Sequence, residues 1–209
     1  MAPMSLKTVD HPLAAHLLAG LRDKTTEPAV FRRLSRTLAT LLILEATRGV
    51  HSRDVDVETP LATVSQRQLA QGLAVVPVLR AGLGLLEAAL DIFPDVAVGY
   101  IGLERNHESA VASSYYCKLP SLTDRLTLCC DPMLATGGSA SQALTLLKQH
   151  GAKDLVMVCV VAAPEGLAVV EKDHPDVPVV AGALDECLDA RKYIVPGLGD
   201  YGDRLFGTL

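Results

Sequence analysis

Val30, Leu34, Leu38, Leu41, Leu42 and Ala46 recur at a spacing that puts them on one helical face, so the first 50 residues read as helical. His11-Pro12 suits a helix start, because proline is tolerated in the first turn. Within residues 51–70, Val55, Val57 and Thr59 alternate with acids, which predicts a short exposed strand. From Leu73 the pattern changes to continuous apolar runs, at Leu73–Leu79, Val96–Leu103, Leu126–Cys130, Leu155–Val161 and Val177–Leu184. Helical stretches lie between several of them: Leu83–Phe93, stopped by Pro94, then Ser139–Gln149 and Pro164–Lys172. Continuous apolar strands alternating with helices predict an α/β fold whose parallel sheet is covered on both faces. Val111–Leu119 lacks a following helix and reads as a hairpin or flexible arm.

Composition narrows the picture. At roughly 150 residues per domain, the 209 residues predict a single domain over 1–209. Hydrophobic residues make up 49% and charged residues 21%, an ordinary globular balance that excludes a disordered chain. Mean hydropathy is high at +0.29. The longest apolar run, Leu155–Pro164, is nevertheless half the ~20 residues a spanning helix needs, so no membrane partner is expected. Met1–Asp10 lacks the apolar core and cleavage site of a secretory signal. The five cysteines are odd in number and form no C-x-x-C pair, which suits a reduced, cytoplasmic chain. Nineteen basic against twenty-four acidic residues give a net charge of -5, which argues against non-specific nucleic-acid binding but leaves room for a local anion pocket. The absence of Trp and the 4% aromatic content argue against a base-stacking platform. The six histidines show no metal spacing.

In a parallel sheet ligands bind at the carboxyl ends of the strands, so the loops after the apolar runs are the candidates. After Cys130 the chain reads Asp131-Pro132-Met133-Leu134-Ala135-Thr136-Gly137-Gly138-Ser139 and enters a helix. Glycines allow close backbone approach, helix-start N–H groups attract anions, and Thr136 and Ser139 add hydroxyl donors, so this loop reads as a phosphate cup. Asp131 is itself anionic and suits sugar hydroxyls instead. No Lys follows the glycines, so the loop is not a Walker A motif. Arg80, followed by Ala81-Gly82-Leu83-Gly84, offers a planar fork of donors at a second strand end. Arg105 lies past a third. Gly82-x-Gly84 with Glu104 also fits part of a dinucleotide fingerprint, but Glu87 occupies the third small position and Arg80 the turn. Near the C-terminus four glycines between 197 and 207 break any helix, while Ile194, Leu198, Tyr201 and Phe206 anchor a packed loop whose exposed backbone can read a flat heterocycle.

These residues resemble a known family. Asp131–Ser139 resembles the phosphoribosyl pyrophosphate (PRPP) loop of the uracil phosphoribosyltransferases, Pro77–Gly84 their pyrophosphate loop, and Tyr193–Asp200 their uracil-binding segment. Ala162–Gly166 and His174–Val177 match the family as well, and the likeness runs from about His11 to the C-terminus. Most other phosphoribosyltransferases carry two adjacent acids where this chain has Asp131-Pro132, which argues for the uracil branch over the purine enzymes. The resemblance implies a type I phosphoribosyltransferase core with helices on both faces, an N-terminal helical segment, a β-arm and a C-terminal base-binding hood. It implies transfer of phosphoribosyl from PRPP to uracil, giving UMP and pyrophosphate. Arg80 and Arg105 would hold the pyrophosphate, and Asp131, Pro132, Met133, Leu134, Ala135, Thr136, Gly137, Gly138 and Ser139 the ribose and its 5′-phosphate. Ile194, Gly199, Asp200 and Tyr201 would read uracil, largely through backbone groups. Asp200 would also face the PRPP and metal side, with Arg80, Arg105, Asp131 and Asp200 as the catalytic set. Mg²⁺ would arrive mainly on PRPP, with no protein cage and with Asp200 as a contact through water. The family further implies a homodimer or higher homo-oligomer and GTP as a candidate effector, and the Val111–Leu119 arm would be a mobile cover. Two departures stand out: Leu44, where relatives often have an aromatic, and Tyr201, where some have a smaller residue. Residues 51–72 match poorly. The rival on the same fold is a nucleotide-sensing RNA-binding regulator, which would need a basic surface that the net charge of -5 does not supply.

Overall fold

Continuous apolar sequence becomes strand wherever both faces of a sheet are covered, and here those strands form the centre of the molecule. The structure, a computed structural model, describes residues 6–105 and 112–208; the side chains of Glu104, Arg105 and residues 112–114 lie outside the description. In chain order the elements are β1 (Leu6–Thr8), α1 (Pro12–Arg22), α2 (Pro28–Ala46), β2 (Ser52–Glu58), β3 (Thr63–Leu69), β4 (Gly72–Leu79) and α3 (Leu83–Ile92). There follow β5 (Ala97–Val98), β6 (Tyr100–Arg105), β7 (Ala112–Lys118), β8 (Arg125–Cys130), β9 (Met133–Leu134) and α4 (Gly138–Gln149). The chain closes with β10 (Asp154–Ala162), α5 (Pro164–Asp173), β11 (Val179–Leu184), β12 (Cys187–Leu188), β13 (Ile194–Val195) and α6 (Tyr201–Phe206).

The main sheet runs β1-β11-β10-β8-β4-β6-β7, with β5 beside β4 and β9 beside β10. All its pairs are parallel except β6 with β7, which is antiparallel. The expected parallel sheet and the hairpin reading of 111–119 are therefore found, although Val111 itself lies outside the described residues. Side chains alternate between two cores, as the period of a strand requires. Leu126, Leu128 and Cys130 of β8 join the core under α1, α2 and α3, whereas Cys129 joins the core under α4 and α5.

Local signals explain the helix starts. His11 caps α1, its Nδ1 accepting from the Leu13 N–H at 3.0 Å, and Pro12, Pro28 and Pro164 open three helices. On α2 the buried face holds Leu38, Leu42 and Ala46 as expected, together with Phe31, Ala39 and Ile43, but Val30 is exposed. Four further expectations are corrected. The first 50 residues are not all helix or loop: Leu6–Thr8 pairs with β11, because a three-residue edge strand is specified by its partner rather than by its own pattern. The strand expected in 51–70 is a full antiparallel hairpin, β2 with β3, and it is largely exposed. Arg105 is the last residue of β6 rather than a residue past it. The C-terminal glycines do not prevent a helix: α6 forms between an Asp200 cap, whose Oδ1 accepts the Asp203 N–H at 2.9 Å, and Gly207 at φ 70. Ile194, Leu198 and Tyr201 anchor this segment, whereas Phe206 is exposed. Among the described residues no helix is long and apolar enough to cross a membrane.

Glu45 on α2 receives Arg48 and Lys7, the latter from β1. Hydrogen bonds from Arg48 and then Lys7 pull its carboxyl from 4.5 to about 2. A carboxyl lowered on folding stabilises fully above its unfolded pKa and loses that contribution as pH falls through its folded pKa. Glu45→Gln should therefore be less stable than the parent at pH 6, with the gap closing toward pH ~2; urea titrations at several pH values measure this, and a pH-independent gap would contradict it.

Cys129, Cys130 and Cys159 are buried, and burial raises all three thiols, Cys130 to about 12. Cys117 and Cys187 are exposed. Brief alkylation of the folded protein followed by peptide mass analysis should modify only Cys117 and Cys187, the other three reacting after unfolding. Equal labelling of Cys129 in the folded state would refute the two-core packing.

Candidate active site

Because β4, β8, β10 and β11 are mutually parallel, their carboxyl ends share one edge of the sheet. The loop after β8 rises from that edge. It is not uniformly open: β9 gives Met133 and Leu134 the two-residue alternation of a strand, so Pro132 and Leu134 are buried while Met133 and Ala135 are half-exposed. The Pro132 carbonyl accepts the Val160 and Val161 N–H groups at 2.9 and 3.1 Å, and the Leu134 carbonyl accepts Ala163 N–H at 2.9 Å. Asp131 is half-buried at the strand end, its Oδ1 accepting the Met133 N–H at 3.3 Å. Gly137 then turns the chain at φ 80, where a β-carbon would lie 2.7 Å from the Gly166 carbonyl oxygen; only glycine fits this corner. α4 starts with no side-chain cap, which leaves the N–H groups of its first turn available to an anion.

Opposite this loop stands the C-terminal segment. A cavity of about 420 Å³ joins the two, lined by Met133, Ala135 and Ser139 on one side and by Ile194, Gly199, Asp200 and Tyr201 on the other. Seven residues singled out from sequence thus meet around one space. Asp131, Thr136, Gly137 and Gly138 belong to the same loop but do not line the cavity. Arg80 lines a neighbouring opening of about 360 Å³ with Leu79, Leu103 and Tyr115. The Arg80 guanidinium is mostly exposed, 3.7 Å from Asp203 and 5.9 Å from the Phe206 ring centre. The Arg105 side chain lies outside the described residues.

Tyr201 lines the cavity, yet its residue is only 1% exposed. Its phenol is hydrogen-bonded to Ser35, its ring meets Phe31 edge-on with centroids 5.3 Å apart, and burial pushes its pKa up to about 12. The side chain is therefore a structural plug, and what the cavity meets at this position is chiefly main chain.

The loop that precedes it is held by two arginines. Arg22 donates to both oxygens of buried Asp185, at 2.9 and 2.5 Å, and to the Gly197 carbonyl at 2.8 Å. Asp185 also accepts the Gly197 N–H at 2.9 Å. Arg204 donates to the carbonyls of Leu198 at 2.7 Å, Asp23 at 2.5 Å and Leu21. Its guanidinium lies 4.5 Å from the Phe31 ring centre, and burial lowers its pKa against the pull of Asp23. Sequence reading missed Asp185, although it follows the apolar run of β11 just as Asp131 follows that of β8. It also missed Arg191 and Lys192, which complete the cavity with Ala81, Tyr193 and Gly202 from the segments already singled out.

Comparison with known proteins identifies the family. The family model described as uracil phosphoribosyltransferase matches residues 8–208. The uracil phosphoribosyltransferase of Finegoldia magna is 50% identical over 98% of this chain and 100% of its own. The solved structure of the AQ2163 protein from Aquifex aeolicus superposes with a TM-score of 0.91 at 35% identity, covering 97% of this chain and 98% of that one. A hypoxanthine phosphoribosyltransferase from Trypanosoma cruzi shares the fold alone, with a TM-score of 0.52 at 16% identity over 75% of this chain and 76% of that one. The chain belongs to the uracil phosphoribosyltransferase family.

Proposed function

We propose that residues 1–209 act as one catalytic domain that transfers the 5-phosphoribosyl group from PRPP to N1 of uracil, giving UMP and pyrophosphate in cytoplasmic pyrimidine salvage. The observation that carries this reading is the single cavity shared by the Ala135–Ser139 loop and the Ile194–Tyr201 segment. One wall suits a phosphate ester and the other a flat base.

The N–H groups opening α4, with Thr136 and Ser139, hold the 5′-phosphate, and the Asp131 carboxylate accepts from the ribose hydroxyls. Arg80 and Arg105 hold the pyrophosphate. Uracil is read by main-chain groups of Ile194 and Gly199–Tyr201, which accounts for a buried tyrosine at 201. Uracil N1 is a weak nucleophile, so the bond to the leaving group loosens early and negative charge builds on the pyrophosphate, where the arginine forks are worth most. The Val111–Leu119 arm covers the site against water, which would hydrolyse the activated sugar.

Among the described residues no group of three or more His, Cys, Asp and Glu side chains could hold a metal. Magnesium often binds through one or two carboxylates plus substrate phosphates while keeping several waters. Asp200 fits that pattern: it is exposed at the cavity and one of its oxygens caps α6, which leaves the other for a metal-bound water. Mg²⁺ bound on PRPP would supply charge neutralisation at the leaving diphosphate. A homo-oligomeric state and a GTP effector belong to the same reading.

A charge-assisted hydrogen bond is worth about 1.5–3 kcal/mol. Arg80→Ala should therefore lower kcat/KM about 10- to 150-fold while leaving the melting temperature unchanged, since the side chain is exposed. Pyrophosphate release from PRPP and uracil measures the effect, and near-parental turnover would remove Arg80 from the site. Asp131→Asn should raise KM for PRPP about tenfold with little change in KM for uracil; unchanged PRPP affinity by calorimetry would contradict the ribose contact.

A further inference from the structure

A phosphate ester entering the cavity meets the carboxylate of Asp200 on its lining. Among the described residues, positive charge on the lining comes from Arg191 and Lys192, in the turn between β12 and β13. The turn is firmly built. Asp189 Oδ1 accepts the N–H groups of Arg191 and Tyr193, each at 2.8 Å, and the Asp189 carbonyl accepts the Lys192 N–H at 2.9 Å. Lys192 itself sits at φ 69. The other described non-glycine residue at positive φ is Asp124, a residue type that tolerates this region through its short polar side chain. Lysine has no such compensation, and glycine would occupy the position without steric cost. A backbone held in a costly conformation by its surroundings points to a use for the side chain it carries. The Lys192 charge is also felt at Glu165, whose carboxyl is held below its usual range chiefly by the Leu188 N–H and in smaller part by this ammonium.

We propose that Arg191 and Lys192 form a cationic rim that grips the 5′-phosphomonoester common to PRPP and UMP from the side opposite the Ala135–Ser139 loop. The inference rests on the functional reading above and adds to it. Arg80, in the neighbouring opening, serves the other, diphosphate end of the substrate. The two ends therefore have separate cations, and removing one pair leaves the other intact.

The test uses the full-length protein, its Lys192→Gly variant and the Arg191→Ala/Lys192→Gly double variant. Relief of the positive φ should leave the Lys192→Gly melting temperature equal to or above the parent's. UMP and ribose 5-phosphate, titrated calorimetrically, should bind the double variant about 3- to 10-fold more weakly, and the loss should shrink at high salt. Pyrophosphate inhibition should be unchanged. The proposal is overturned if UMP and ribose 5-phosphate bind the double variant within twofold of the parent. It is equally overturned if pyrophosphate inhibition weakens in their place. Failure of the parent protein itself to bind UMP would sink the functional reading, and this inference with it, a result distinct from a parent that binds and a variant that binds equally well.

Discussion

The C-terminal wall of the cavity is a loop with little means of holding itself in place. Pro196–Asp200 contains two glycines at positive φ, Gly197 and Gly199, and such residues lose the most conformational freedom when ordered. What fixes the loop is charge brought from elsewhere in the chain. Arg22 comes from the end of α1 and Asp185 from the end of β11, and their pair binds both the N–H and the carbonyl of Gly197. Arg204 comes from α6 and ties Leu198 to the same end of α1. A buried pair of this kind adds little net stability against a well-packed apolar alternative, but losing one partner strands the other at a cost of about 3–5 kcal/mol. The arrangement therefore contributes geometry more than stability. It converts a flexible glycine segment into a rigid surface with defined donors and acceptors.

That surface forms one side of a cavity because the sheet delivers the Asp131–Ser139 loop to the same edge. Parallel strands buried on both faces leave their carboxyl ends as the place where backbone groups and polar side chains can gather. Arg80, Asp131 and Asp185 each follow such a strand end directly or by one residue. The two carboxylates do different work. Asp185 is consumed in holding the loop, and no part of it is left for a ligand beyond the groups it already binds. Asp131 remains half-buried at the start of the loop that reaches the cavity, where an anion suits hydroxyl groups and would repel phosphate.

How much of this the sequence discloses follows from the range of the forces involved. The central strands were legible because burial on both faces demands uninterrupted apolar residues, as in β10, where every residue from Leu155 onward is buried. β1 was not, since three residues, Leu6–Thr8, carry no period of their own and exist through pairing with Val179–Ala181. The Asp131–Ser139 loop was legible as a segment reaching the cavity but not residue by residue. Its motif runs unbroken from Asp131 to Ser139, yet the strand pairing of β9 with Val161 and Ala162 turns Leu134 into the core and leaves Met133 and Ala135 at the cavity. Arg191 and Lys192 were missed because two strands of two residues each give no sequence signal for the turn that presents them. Asp185 carries the same signal as Asp131, an acid directly after an apolar strand.

The C-terminal segment and the Arg80–Gly84 loop are one packed piece. A β-carbon on Gly84, in the first turn of α3, would run into the Tyr201 hydroxyl, and its ring carbon Cε1 would be 2.9 Å away. One turn earlier, Ala81 faces Gly202, and a β-carbon there would stand 3.7 Å from that of Ala81. Arg80 reaches the same helix through Asp203 and Phe206. The hydroxyl between α2 and α3 is thus the point where both loops are referenced to the body, through Ser35. Close-packed contacts of this kind transmit displacement rather than absorb it. A shift of α6 by even a methyl group's width would move the main-chain groups at 199–201 and the start of α3 together. On the proposed reading, in which Arg80 holds the leaving group and residues 199–201 the base, one rigid unit fixes the separation of the two outer reacting groups before the sugar is bound.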